Sequence, residues 1–176
     1  LPMRSSGVCA ANVPDGQAIW ETTNSLWAAV QSGTNLIYHA AGWLEGGLIA
    51  SPEKFIMDCE ILQQIQRYME PGIFGTTRND IAFDAIKEVG HDGHFFGVEH
   101  TQERYTKAFY QPFLSDWTNY EAWELSGGQW TVERAHLLFK DILFDFVPPN
   151  LEQSIHEELQ NFVSRRKREG GAPTDF

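Results

Sequence analysis

The sequence predicts an α/β fold, and three observations carry that prediction. Two short apolar stretches, Met3 to Cys9 and Thr34 to Ala40, have strand character, and each is followed by apolar residues at helical spacing. The connection between the two stretches is long and helical, as a parallel pair requires, because parallel neighbours need a crossover and not a hairpin. With 42% hydrophobic and 13% aromatic residues in 176, the chain can bury a core, which excludes a disordered polypeptide.

Taken in order, the first strand leads into AANVPDG, whose asparagine, proline and aspartate are helix-start residues. Ile19, Thr23, Leu26, Trp27 and Val30 then recur at helical spacing, which predicts a helix over Ala18 to Val30, and Gly33 stands where a C-terminal cap belongs. The second strand follows. Ser51-Pro52-Glu53 supplies an N-cap, a first-turn proline and an acid matched to the helix dipole. The helix it opens carries a stripe of Phe55, Cys59, Leu62, Ile65 and Met69 and stops at Pro71-Gly72.

Beyond this β-α-β-α unit helices dominate. A short helix is predicted from Asp80 to Val89, closing at Gly90, then a glycine- and histidine-rich connection with one short strand at His94 to Gly97. Further helices are predicted at Thr101–Tyr110, Asp116–Ser126, Thr131–Phe146 and Leu151–Arg168, separated by Gly127-Gly128 and Pro148-Pro149, with GGAPTDF as a frayed tail. The expected organisation is therefore a region of β/α units over residues 1–98 and a helical extension over 99–176. Two or three parallel strands cannot close a barrel, which takes about 250 residues and eight strands. Either the sheet is small and open or the chain begins inside a domain. The start at Leu1-Pro2, without a methionine and running directly into a strand, favours the second.

Thirteen basic against twenty-four acidic residues give a net charge of -11, which disfavours nucleic acid and an anionic membrane surface as partners. No apolar run approaches the ~20 residues of a membrane helix, and no signal peptide is visible. Cys9 and Cys59 are too few for a disulfide framework, so a cytoplasmic location is expected. The RRKR at 165–168 is expected to complement a helix C-terminus and stay solvated.

Chemistry in parallel-sheet proteins sits at the carboxyl ends of strands. His39 occupies that position in TNLIYHAAGWLEGG, followed by Trp43 and Glu45 on a loop. Alternation through Ala40 puts Asn35, Ile37 and His39 on one strand face and Leu36, Tyr38 and Ala40 on the other. His39 is then either a site residue at a barrel mouth or a buried, hydrogen-bonded histidine. His91, His94, Glu99 and His100 are types that bind metals, but they lack the spacing of a helical zinc motif, and an exposed glycine-rich turn is the simpler expectation. Glu45, Asp58 and Glu60 are the carboxylates considered as acids or bases, and Asp58 and Glu60, pointing apart on a helix, read as surface charges. Trp117, Tyr120, Trp123 and Trp130 could cage a cation, but core packing is the plainer expectation.

Four runs together, RSSGVCAANVPDGQAIWE, GTNLIYHAAGWLEGGLIASPEKFIMDCEIL, KEVGHDGHFFGVEHT and LSDWTNYEAWE, resemble the C-terminal part of the trimethylamine methyltransferase family. The resemblance covers nearly the whole chain. It implies the C-terminal part of a (β/α)8 TIM barrel, two to three parallel strands with helices, followed by a mainly helical extension. It also implies transfer of a methyl group from a methylated amine to the cobalt of a corrinoid (cobalamin) carried on a separate partner protein, with none bound tightly by this chain.

Within that resemblance, His39 and Glu45 are the candidate catalytic residues, and Trp43, Tyr38 and Asn35 the candidate substrate-binding residues. The trimethylamine-specific members contain pyrrolysine, expected near Leu1 to Asp15, and only the standard residues occur here, which points toward a quaternary amine such as glycine betaine. His91 departs from the family's glycine-rich turn, leaving His94 and His100 as the matching pair. Unpaired strand edges predict self-association into a homo-oligomer. As a fragment of such an enzyme the isolated chain is expected to be inactive. The rival readings are a non-catalytic interaction or oligomerisation module and a metal hydrolase using His91, His94 and His100.

Overall fold

The computed structural model describes residues 1–70 and 81–170. The Pro71-Gly72 stop, the Asp80 helix start and most of the predicted tail fall outside the described residues. The chain divides into two compact units, Leu1–Asp141 and Ile142–Phe176.

In the first unit, β1 (Met3–Ser5) and β2 (Leu36–Tyr38) pair in parallel, with Met3 opposite Leu36 and Ser5 opposite Tyr38. The parallel pair matches the sequence reading, but both strands are shorter than predicted. β1 stops because Ser6 and Gly7 turn toward the crossover helix α1 (Gly16–Gln31): the Ser6 hydroxyl donates to the Ser25 carbonyl at 2.8 Å, and the Gly7 N–H donates to Ser25 Oγ at 3.1 Å. β2 stops because His39 takes a left-handed φ of 56°, which ends the pleat.

Helix α1 starts where its cap dictates: Asp15 Oδ1 accepts from the N–H groups of Gln17 and Ala18 at 2.9 and 3.3 Å. It buries Ala18, Thr22, Leu26 and Ala29. Helix α2 (Pro52–Met69) is capped by the Ser51 hydroxyl, which accepts from Lys54 N–H at 3.2 Å. Between β2 and α2 lies a hairpin not anticipated from the sequence, β3 (Trp43–Leu44) against β4 (Ile49–Ala50), joined by a 3-10 turn through Glu45–Gly47.

The expected apolar stripe on α2 is corrected. Of that stripe Ile65 is buried as expected, but Phe55 and Met69 are half exposed, and the rest of the buried face carries Lys54, Ile56, Met57, Asp58, Glu60 and Ile61. Leu26 of α1 packs with Ile61 and Ile65, with Ile37 of β2 against them. On the other side Ile56 and Met57 pack with Leu114 and Ala135.

After α2, α3 covers Phe83–Val89 as its apolar pattern predicts. The strand expected at His94–Gly97 is a 3-10 turn over Phe95–Gly97, and among the described residues no strand pairs with it. The helix expected at Thr101–Tyr110 is reduced to the single turn α4 (Glu99–Gln102) followed by turns. Helix α5 (Tyr120–Leu125) starts at an Asn119 cap, four residues later than predicted, since Asp116 folds its carboxylate onto Thr118. Helix α6 (Thr131–Phe144) begins in the first unit. Core positions for Trp117, Tyr120 and Trp130 are also corrected: all three are largely exposed.

In the second unit, α7 (Gln153–Arg168) ends in Arg165, Arg166, Lys167 and Arg168, as expected of a basic C-terminus, with Arg166 3.0 Å from Glu169. Its apolar residues Ile155, Leu159, Phe162 and Val163 are about half exposed. Among the described residues no helix is long and apolar enough to cross a membrane.

Candidate functional site

The carboxyl ends of β1 and β2 carry the cluster. Ser5 ends β1, and its Oγ lies 3.0 Å from His39 Nδ1. His39 meets the Trp43 ring edge to face at 5.6 Å between centroids and 90° between planes. The Tyr38 ring lies 6.2 Å from His39, tilted by 41°. Strand alternation would have separated Tyr38 from His39. The left-handed backbone at His39 breaks that alternation, and the His39 ring has Tyr38 and Trp43 as its two aromatic neighbours. His39 and Tyr38 are exposed and Trp43 half-buried.

Glu45 lies beyond the turn. Its backbone is left-handed at φ 51°, its N–H donates to the Ala11 carbonyl at 3.1 Å, and its Oε1 accepts from Asn12 Nδ2 at 3.2 Å. Asn35 stands at the opposite end of β2, where its N–H donates to the Pro2 carbonyl at 3.0 Å. The structure thus joins Ser5, Tyr38, His39 and Trp43, ties Glu45 to the loop after β1, and leaves Asn35 about four strand residues away, roughly 13 Å.

The loop after β1 supports this cluster from below. The Cys9 thiol donates to the Trp43 carbonyl at 3.2 Å, and Gly46 N–H donates to the Cys9 carbonyl at 2.8 Å. Glu21 of α1 accepts from Ala10 N–H at 2.7 Å. Gln17 and that N–H hold the Glu21 carboxyl below its ordinary value. Gly7, at φ 95°, lets the chain pass close to the 39–40 backbone: a Cβ there would lie 2.7 Å from the Ala40 carbonyl oxygen and 2.8 Å from that of His39.

Beneath the turn is a fully buried ion pair. Lys54 Nζ lies 2.5 Å from both Asp58 oxygens and donates to Thr22 Oγ1 at 2.8 Å. The Thr22 hydroxyl donates to the Gly7 carbonyl at 2.9 Å, and the Gly42 N–H donates to Asp58 Oδ2 at 2.8 Å. Burial pushes the Asp58 carboxyl up, while the Lys54 and Gly42 hydrogen bonds pull in the opposite sense. Burial, and then the Asp58 charge, raises the Cys59 thiol.

Asp58 and Glu60 are therefore not surface charges, which corrects the sequence reading. Glu60 accepts from Leu114 N–H at 2.6 Å and from the N–H and hydroxyl of Ser115, which fastens that loop to α2. The Lys54 and Asp58 spacing of four was the available signal, but the same spacing describes an ordinary solvated helix pair.

A second concavity of about 760 Å3 lies between α1 and α2, lined by Trp20, Trp27, Ile61 and Trp130 among others. His91 and His94 are exposed, with His94 5.4 Å from the Phe96 ring. Among the described residues no three His, Cys, Asp or Glu side chains converge as metal ligands would.

The description of the trimethylamine methyltransferase family matches residues 1–171. A glycine betaine methyltransferase of Desulfitobacterium hafniense is 38% identical over 172 residues, 97% of this chain and 35% of that protein. A trimethylamine methyltransferase from another strain of that species is 30% identical over 95% of the chain and 33% of the relative. A trimethylamine methyltransferase of Methanosarcina mazei is 28% identical over 96% of the chain and 33% of the relative. The chain spans about a third of the length of these curated relatives. The family match, running almost end to end, and the similarity to the glycine betaine enzyme over nearly the whole chain establish that the chain belongs to the trimethylamine methyltransferase family.

Proposed function

We propose that this chain supplies part of the substrate-binding mouth of a methyltransferase that takes a methyl group from a quaternary amine, glycine betaine in first place. The observation that carries the reading is the convergence of Tyr38, His39 and Trp43 at the carboxyl end of a parallel strand pair. A tetraalkylammonium centre neither donates nor accepts hydrogen bonds. An aromatic face is the group that attracts it, through the ring quadrupole, at about 0.5–2 kcal/mol. Trp43 offers that face, with Tyr38 as the second ring next to His39. His39 is held by the Ser5 hydroxyl and is placed to donate to a carboxylate on the same ligand. Glu45, fixed by Asn12, adds a carboxylate at the rim.

The fold supports the same reading. The β1-α1-β2-α2 order is two of the eight β/α units of a barrel wall, and Met3, Leu36 and Tyr38 leave about half their surface exposed on a sheet that has two strands among the described residues. Such a sheet is completed by further strands in a (β/α)8 barrel, with residues 99–176 as a helical extension.

The proposed acceptor is a corrinoid on a separate cytoplasmic partner protein, and it supplies the cobalt that receives the methyl group. As the C–N bond breaks, its electron pair stays on nitrogen, and the positive charge that held the ligand against Trp43 disappears. The product tertiary amine is then bound less well than the substrate, which favours release. The test is methyl transfer by the full natural polypeptide, with glycine betaine, trimethylamine and choline offered to the corrinoid protein. Turnover should be highest with glycine betaine and should fall in His39→Ala and Trp43→Ala at unchanged melting temperature. Unchanged turnover in both variants would remove the cluster from the site.

A further inference from the structure

We propose that the buried Lys54–Asp58 pair is a positioning device for the strand-end cluster, gripping the Gly42 N–H and the Gly7 carbonyl so that the 39–43 turn presents His39 and Trp43 in one arrangement. The inference rests on the reading of His39 and Trp43 as the substrate site. Its geometry is independent of that reading. One fully buried pair reaches four segments: α2 through both charged side chains, α1 through Thr22, the end of β1 through Gly7, and the turn after β2 through Gly42.

Each donor in this network has an acceptor. The Lys54 ammonium has the two Asp58 oxygens and Thr22, the Thr22 hydroxyl has the Gly7 carbonyl, and the Gly42 N–H has Asp58 Oδ2. Among the described residues no buried side-chain polar atom lacks a partner. A saturated network has no second arrangement of equal quality, so it specifies geometry.

Stability alone does not explain the pair. A buried ion pair loses two hydration shells, and well-packed apolar residues of similar volume commonly serve the fold as well or better. The neighbouring buried positions Ile61 and Ile65 are apolar in that way. What apolar residues cannot do is accept the Gly42 N–H. Gly42 sits three residues after His39 and immediately before Trp43, with φ 86° and a would-be Cβ 3.1 Å from Phe55, so the turn is pressed onto α2 and hydrogen-bonded to it at the same point. The left-handed His39 backbone is held between this grip and the close approach of Gly7.

The experiment uses the full natural polypeptide and two double variants. Lys54→Met/Asp58→Leu removes every polar contact of the pair, leaving only the Thr22–Gly7 hydrogen bond, whereas Lys54→Gln/Asp58→Asn keeps an acceptor for Gly42 and a donor for Thr22 without charge. The apolar double should fold, with a urea midpoint lowered far less than in Asp58→Ala, since it leaves no buried charge unpaired and orphans only the Gly42 N–H. It should show Gly42 amide exchange faster by about tenfold and shifted His39 ring resonances, and lose glycine betaine turnover on the order of 10- to 100-fold. The amide double should restore most of both the exchange protection and the turnover. An apolar double that fails to fold, or one with native Gly42 protection and native turnover, overturns the proposal, as does an amide double no better than the apolar one. Loss of Gly42 protection while His39→Ala keeps full activity would sink the substrate-site reading and leave the grip on the turn standing.

Discussion

Asp58→Ala alone should be among the most damaging single substitutions in this chain. It leaves the Lys54 ammonium at zero exposure with one neutral acceptor, Thr22, and leaves the Gly42 N–H without its carboxylate. Removing one partner of a buried pair costs about 3–5 kcal/mol, and an orphaned buried N–H about 1–3 kcal/mol. The two overlap, because a water admitted to the space left by the carboxylate can serve both groups, so the net is about 4 kcal/mol. Against a total stability of about 5–15 kcal/mol this is a large fraction. At about 2–3 kcal/mol per molar urea it moves the midpoint by about 1.3–2 M. The contrast with the apolar double is the informative part, since that variant removes both charges and should lose only about 1–3 kcal/mol, the cost of the orphaned Gly42 N–H. Urea titrations of wild type, Asp58→Ala and Lys54→Met/Asp58→Leu measure it. A loss in Asp58→Ala no larger than the ~1 kcal/mol of a surface pair would refute the burial argument.

Gly7→Ala forces a Cβ into the 39–40 backbone at a left-handed φ, and should cost about 2–4 kcal/mol in a denaturation series. Glu60→Ala orphans the N–H groups of Leu114 and Ser115, so about 1–3 kcal/mol should be lost, with faster amide exchange at Leu114. Glu53 is held below its ordinary carboxylate value, first by its hydrogen bond with His136. Its contribution is therefore full above the unfolded value and is lost as pH falls through the lower folded one, below pH about 4.3. Glu53→Gln should flatten that acid slope by about 1 kcal/mol at most, and an unchanged acid limb in its pH–stability profile would contradict the assignment.

Much of the scaffold was legible because it is encoded locally. Asp15 and Ser51 mark helix starts with side chains that cap them, and the long α1 connection required a parallel pair. The failures have equally local reasons. Two-residue strands such as Trp43–Leu44 are too short for alternation to register, although Gly46-Gly47 between two apolar pairs was a hairpin signal. Alternation through Ala40 assumed a continuous pleat, and no residue in YHAAG announces that His39 turns left-handed and ends it. Lys54, Asp58 and Glu60 read as solvated because charge on a helix ordinarily is. Their burial depends on partners 16 to 55 residues away in sequence, Gly42, Thr22 and Leu114–Ser115 among them, and spacing within α2 cannot reveal those.

Whether the strand-end rings recognise a positive charge can be measured by comparing glycine betaine with 3,3-dimethylbutanoate, its shape-matched analogue with carbon in place of the charged nitrogen. Isothermal titration of both into the full natural polypeptide, and into its Trp43→Ala variant, isolates the contribution of charge at one ring. Tighter binding of glycine betaine by about 0.5–2 kcal/mol, with the difference largely lost in Trp43→Ala, is the predicted result. Equal affinities for the two ligands in the wild type, or a preference that survives in Trp43→Ala, would contradict the account.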